Sequence, residues 1–144
     1  MALTLQPVPV QHTAQTWPLV EEMLDRAVKH GHDDYTLEQV RLYVNTGQWS
    51  LLVVTDRFNA IHGAMVVSYV NQPNARVAFV ICAGGSGFFN KDIVDQLKVI
   101  AVGAGATKIQ AGTRESVARL LARAGFVQRS VLLEIDMGAK PWEA

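Results

Sequence analysis

Ala78-Phe79-Val80-Ile81-Cys82-Ala83-Gly84-Gly85-Ser86-Gly87 opens the run from Ala78 to Gly125 around which the rest of this chain is organised. Five residues with strand character run into a glycine-rich turn, and an amphipathic helix follows. Such a turn lets backbone N–H groups approach an anion closely, and a helix N-terminus adds partial positive charge at the same place. The alternative is that Gly84, Gly85 and Gly87 only turn a corner. Beyond the turn, Ile93, Val94, Leu97, Ile100 and Ala101 mark one helical face, with Asn90 as N-cap and Asp92 suited to the positive end. A short strand over 107–111 and a helix carrying Val117, Leu120, Leu121 and Ala124 complete the run, with Gly125 as its stop.

Upstream, Leu3, Leu5, Val8 and Val10 predict a strand that Pro7 and Pro9 confine to a sheet edge. Thr16 is read as an N-cap with Pro18 in the first helical turn. Leu19, Val20, Met23, Leu24, Ala27 and Val28 form that helix's buried face, which should stop near His30-Gly31. Thr36-Leu37-Glu38-Gln39 is a capping-box pattern opening a second helix. Three strands with short turns then read as an antiparallel meander over 49–55, 60–69 and 76–82, with Gly63 as a bulge or close-approach point. Ser116 caps the last helix, and Val127 to Met137 reads as a final strand. Residues 1–137 are one domain, and 138–144 a tail carrying Trp142.

The bulk properties exclude several classes. The chain has 144 residues, 49% hydrophobic and 18% charged, with thirteen basic and thirteen acidic side chains. This is globular, and no basic excess points to nucleic acid or an anionic membrane. One cysteine, Cys82, precludes an internal disulfide and fits a reducing compartment. The N-terminus lacks signal-peptide character, and no apolar run reaches the roughly 18 residues that span a bilayer. A cytoplasmic protein without a metal site is expected.

The order strand, two helices, three antiparallel strands, helix, strand, helix, strand resembles the Gcn5-related N-acetyltransferase (GNAT) family. Its most specific match here is Thr113-Arg114-Glu115-Ser116-Val117-Ala118-Arg119-Leu120-Leu121-Ala122-Arg123-Ala124-Gly125-Phe126, which looks like the family's second motif, a short helix ending in Gly-Phe. The resemblance implies an α/β (α+β) fold, a mixed, mostly antiparallel sheet flanked by about four helices and splayed between its fourth and fifth strands. It implies acetyl-coenzyme A as cosubstrate and an amine, on a small molecule or a protein, as acceptor. The small size also resembles the short GNAT-like proteins of bacteriophages, which would place the chain in an infected cell with a host protein as partner. A homodimer through an edge strand or the tail is a further expectation.

Carried onto this sequence, the family's pyrophosphate loop falls on Gly84, Gly85, Ser86 and Gly87, with Cys82 where glutamine or arginine would stand. The backbone of Phe79, Val80, Ile81 and Cys82 would pair with the pantetheine arm. Ser116 would assist it, or simply cap its helix. Leu121 stands where many members carry a tyrosine acid. Tyr69, His62 and Glu115 are the remaining acid–base candidates, each otherwise a surface or packed side chain. Cys82 is a nucleophile by type, but in an apolar strand it reads as a small buried hydrophobe. His30, His32, Asp33 and Asp34 read as a loop bordering an acceptor groove. Arg114, Arg119 and Arg123 either neutralise phosphate or share a solvated face. The rival to catalysis is a GNAT-like binding protein that docks on a host protein or serves in virion assembly.

Overall fold

The computed structural model describes residues 2–31, 34–88 and 90–138. The expectations for His32, Asp33 and Trp142 concern residues outside this set. One five-stranded sheet in the order β1-β2-β3-β4-β5 carries helices on both faces. β1 (Thr4–Pro7), β2 (Ser50–Thr55), β3 (Ile61–Gln72) and β4 (Ala75–Gly85) pair antiparallel, and β5 (Lys108–Ala111) pairs parallel to β4. The mixed, mostly antiparallel α+β architecture is the one expected.

Strand alternation sorts the core into two layers. Leu5, Leu52, Val54, Met65, Val67 and Ala78 face α3 (Lys91–Gly103), which contributes Ile93, Leu97 and Ala101. Leu51, Val53, Ala64, Val66 and Cys82 face α1 (Thr13–Lys29) and α2 (Leu37–Asn45), which bring Trp17, Val20, Leu24, Val40 and Val44. Each fully buried side chain of this size is worth about 1.5–3 kcal/mol relative to exposure.

The local signals were mostly honoured. Thr36 and Gln39 form the reciprocal capping box, and the Asn90 side chain accepts from the Asp92 N–H at 2.9 Å. Three expectations need correction. α1 begins at Thr13, so Thr16 is not its cap and Pro18 lies inside the helix. The Thr13 hydroxyl donates to the Val10 carbonyl at 2.9 Å and lies 3.0 Å from Asn45 Oδ1, while Trp17 is buried. Tertiary contacts thus extend the helix backward past its best sequence cap. α4 (Glu115–Ala122) starts after Arg114, placing Ser116 inside its first turn rather than at its cap.

The third correction is larger. Residues 127–137 form no strand: none of the described residues pairs with them, and their apolar side chains are solvent-exposed. A strand needs a neighbour's backbone, and β5 offers an edge only four residues long.

Candidate active site in the cleft beside β4

The candidate site lies where β4 outruns β5. Pairing runs from Val77 with Lys108 to Val80 with Ala111, and there β5 ends. The next residue of β4, Ile81, is an extra residue against β3, because Val80 pairs with Val67 and Cys82 with Val66. This is a β-bulge, which bends its strand and interrupts the ladder. β4 therefore continues from Ile81 to Gly85 with no strand on its β5 side. β5 pairs along its whole length and ends at Ala111, so β4 runs on past it from Ile81.

Phe79 and Val80 lie opposite Gln110 and Ala111. They are taken up by β5, so the stretch open to a ligand shortens to Ile81–Gly85. The Ser86 N–H donates to the His62 carbonyl at 2.9 Å. Alternation in an antiparallel ladder then turns the backbone groups of Cys82 and Gly84 toward β3, and those of Ala83 and Gly85 toward the open edge.

The glycines have structural duties that the sequence did not reveal. Gly84 and Gly85 belong to β4 rather than to a loop. A Cβ on Gly84 would sit 2.1 Å from the Met23 carbonyl oxygen, so α1 crosses β4 here at backbone contact. Gly63 is the expected close-approach point, since a Cβ there would meet the Ser86 carbonyl at 2.5 Å and the Phe88 ring at 2.7 Å. Gly85 and Gly87 adopt φ of +84° and +100°, conformations that other residues resist. These two residues turn the chain toward the N-terminus of α3. The anion cradle is thus narrower than four residues, because the Ser86 N–H is already committed to β3.

Tyr35 is the residue that sequence reasoning passed over. It lies in the connection between α1 and α2, and its hydroxyl donates to the carbonyl of the bulged Ile81. Its ring meets Trp49 edge-on at 5.9 Å between centroids. Burial, with Cys82 and Asp34 nearby, pushes its hydroxyl up to about 12. Cys82 is buried in the α1–α2 layer, and burial pushes its thiol up to about 12 as well. A thiol so held is a packing group rather than a nucleophile.

The acid–base candidates do not converge. His62 Nε2 lies 2.9 Å from Asp56 Oδ2, at the turn between β2 and β3. Asp56 Oδ1 accepts from the Phe58 and Ala60 N–H groups, at 2.8 and 3.1 Å. The hydrogen bond to His62 holds the Asp56 carboxyl below its usual range; desolvation opposes it and the two N–H groups reinforce it. The pair looks built to close a turn. Tyr69 packs on the α3 layer beneath Arg76 and opposite Ala78, about 23 Å along β4 from Gly85. Burial raises its hydroxyl, with Arg76 opposing. Glu115 and Ser116 are exposed at the head of α4, which follows β5 after a three-residue link. Leu121 is half-buried in α4 and supplies no proton. Among the described residues, no cluster of three His, Cys, Asp or Glu side chains could hold a metal, and no helix is long and apolar enough to cross a membrane.

The overall backbone is similar to that of solved acetyltransferase structures. This chain has the acetyltransferase fold. An aminoglycoside acetyltransferase from an uncultured soil metagenomic sample, in complex with sisomicin, superposes with a TM-score of 0.69 at 8% identity, over 96% of this chain and 97% of that one. A predicted acetyltransferase from Clostridium acetobutylicum, solved with acetyl-CoA, gives 0.67 at 11% identity, over 94% and 97%. The glucosamine-6-phosphate N-acetyltransferase of Arabidopsis thaliana gives 0.60 at 11%, over 95% and 99%. No protein-family model and no curated protein sequence matches the chain. The likeness therefore lives in the backbone, where the acetyltransferase fold is preserved with little of the sequence.

Proposed function

We propose that this chain binds acetyl-coenzyme A along the open edge of β4 and transfers its acyl group to an amine. One observation carries this: the edge freed at Ile81 leads in a line to two positive-φ glycines at the N-terminus of α3. Ala83 and Gly85 would pair with the amides of the pantetheine arm, and the turn at Gly85 and Gly87 would hold the diphosphate. Cys82 and Gly84 would shape this wall without facing the ligand, and Ser116 would lie at the cleft mouth.

In the reaction, the amine nitrogen attacks the thioester carbonyl, the C–N bond forms and the C–S bond breaks. The amine loses a proton and the departing sulfur gains one. A thiol with a pKa near 8.5 leaves tolerably as thiolate. Tyr35 is no proton donor for it, because a hydroxyl held near 12 and bonded to a carbonyl gives up its proton less readily than the thiol itself. Catalysis would rest on holding amine and thioester together, which alone can be worth about 7–11 kcal/mol in well-oriented systems. The acceptor is a small amine-bearing molecule or a protein amine. The resemblance to small phage proteins adds a host protein to that class.

Calorimetric titration with acetyl-coenzyme A tests the proposal. Binding is expected, weakened by Gly87→Ala, whose Cβ would force a strained φ and press on Val54. No heat at millimolar ligand would end it. Leu121 at the acid position favours a second reading, a docking protein with the fold but without the chemistry. Binding without thiol release across a panel of amines would select that one.

A further inference from the structure

The glycine turn after β4 carries the chain across the sheet one strand at a time. Gly85 pairs with Gly63 at the end of β4, and the Ser86 N–H donates to the His62 carbonyl of β3 at 2.9 Å. Gly87 then lies over β2, where an added Cβ would come within 3.1 Å of Val54 Cγ1. α3 accordingly starts above β1 and β2. The Gln96 side chain accepts from the Leu5 N–H at 2.8 Å and donates to the Leu3 carbonyl at 3.1 Å. The helix ends beside β4, where the Ala104 carbonyl accepts from Arg76 Nε at 2.9 Å. A diphosphate on this turn would therefore sit next to the β2–β3 connection and away from α4.

That connection, residues 56–60, displays two adjacent exposed side chains. Phe58 is 76% exposed, and the Arg57 guanidinium stands over its ring at 4.8 Å from the centroid. Among the described residues Arg57 pairs with no carboxylate. Its neighbour Asp56 is taken by His62 and by the N–H groups of Phe58 and Ala60. Lys91, in the first turn of α3, pairs with Asp95 at 2.9 Å.

We infer that Arg57 and Phe58 hold the 3′-phosphoadenosine end of coenzyme A, with the guanidinium on the 3′-phosphate and the ring stacked on the adenine. This rests on the reading of the β4 edge as an acetyl-coenzyme A site, and it names the residues that recognise the nucleotide. Reach agrees with it. Arg57 is three residues past Val54, at most about 11 Å of extended chain from the contact with Gly87. Arg114, at the head of α4, is a competing cation, but it follows β5, which lies three strands and about 14 Å from β2. Chemistry agrees as well. A guanidinium can bond two phosphate oxygens at once, and an aromatic ring stacks on the face of a base. The connection is already braced through Asp56, so little order has to be gained on binding.

Calorimetric titration of the full chain with acetyl-coenzyme A and with its 3′-dephospho analogue tests this. The natural chain should prefer acetyl-coenzyme A by about tenfold, in line with one hydrogen-bonded charge pair. Arg57→Ala should abolish that preference and leave the affinity for the 3′-dephospho analogue unchanged. Phe58→Ala should weaken both ligands by about tenfold, the worth of one stacked base. Suppose acetyl-coenzyme A binds, but the natural chain shows no preference, Arg57→Ala keeps it, or Arg114→Ala removes it instead. Each of these results overturns the inference and leaves the reading of the β4 edge standing, as does a Phe58→Ala variant that changes neither affinity. No binding of acetyl-coenzyme A by the natural chain overturns both.

Discussion

The two halves of the sheet are held by different means. From β1 to β4, strands of up to twelve residues are clamped between helices, and glycines mark where backbones touch. From β5 onward the ladder is four residues long, α4 buries none of its own side chains fully, and residues 127–137 lie exposed. The sequence motif that most resembles the acetyltransferases, the helix ending in Gly125-Phe126, sits in the loosely packed half. The half from β1 to β4 carries only the capping box at Thr36 and the weaker glycine-loop match at Gly84 to Gly87. A recognisable signature and a well-packed core are thus separate properties, and here they reside in different places.

Core truncation should break the symmetry between the halves most strongly. Leu24→Ala, at a fully buried site, should cost about 2–5 kcal/mol in urea denaturation, whereas Leu120→Ala in α4 should cost about 0.5 kcal/mol. Comparable losses would mean that the second half is packed as tightly as the first.

Glycine substitutions sharpen the same contrast. Gly84→Ala drives a Cβ into the Met23 backbone and should cost about 3 kcal/mol. Gly103→Ala meets nothing within 4 Å and should stabilise by about 0.4–1 kcal/mol. If the two shift the denaturation midpoint alike, α1 does not press on β4 as described.

Alkaline titration distinguishes the halves through Cys82. Its thiol moves from 9.0 to about 12 on burial, so the folded state resists ionisation that the unfolded chain accepts. That contribution is complete below pH 9 and is lost progressively as pH rises toward 12. Melting temperature should fall above pH 9, and Cys82→Ala should flatten the fall until Tyr35, displaced from 10.0 to about 12, begins its own loss. An unchanged slope in the variant would place the thiol in contact with solvent.

The smallest effect is the most local. Tyr35→Phe removes the donor to the Ile81 carbonyl and should cost about 1 kcal/mol. It should also weaken acetyl-coenzyme A binding more than stability alone explains, since that bond fixes the bulge beside the cleft. Equal effects on both would reduce Tyr35 to a packing residue.

Much of the fold was legible because periodicity and caps are local. The meander, the Thr36 capping box, the Asn90 cap and the order of elements follow from residues near one another in sequence. The site was legible only in outline. Gly84 and Gly85 look like loop residues until Met23 and Gly63 are seen against them, and those contacts span more than twenty residues of chain. Tyr35 hid in a polar loop, because nothing in its neighbours announces a carbonyl forty-six positions away. Ser116 resembled a cap, and helix starts shift easily by a residue or two. Residues 127–137 read as a final strand, but strand-forming residues do not supply the neighbouring backbone that a strand must pair with.

The bulge at Ile81 has a consequence for parity. Before it, even-numbered residues of β4 such as Ala78 and Val80 face α3; after it, even-numbered Cys82 and Gly84 face α1. One extra residue therefore works as a phase shifter, handing the strand from one helical layer to the other without a break in the chain. Were β4 to run on regularly with Ile81 kept in the ladder, Ala83 would turn onto Met23 and Gly84 away from it. The frame of a single residue decides whether α1 can close on this strand at all.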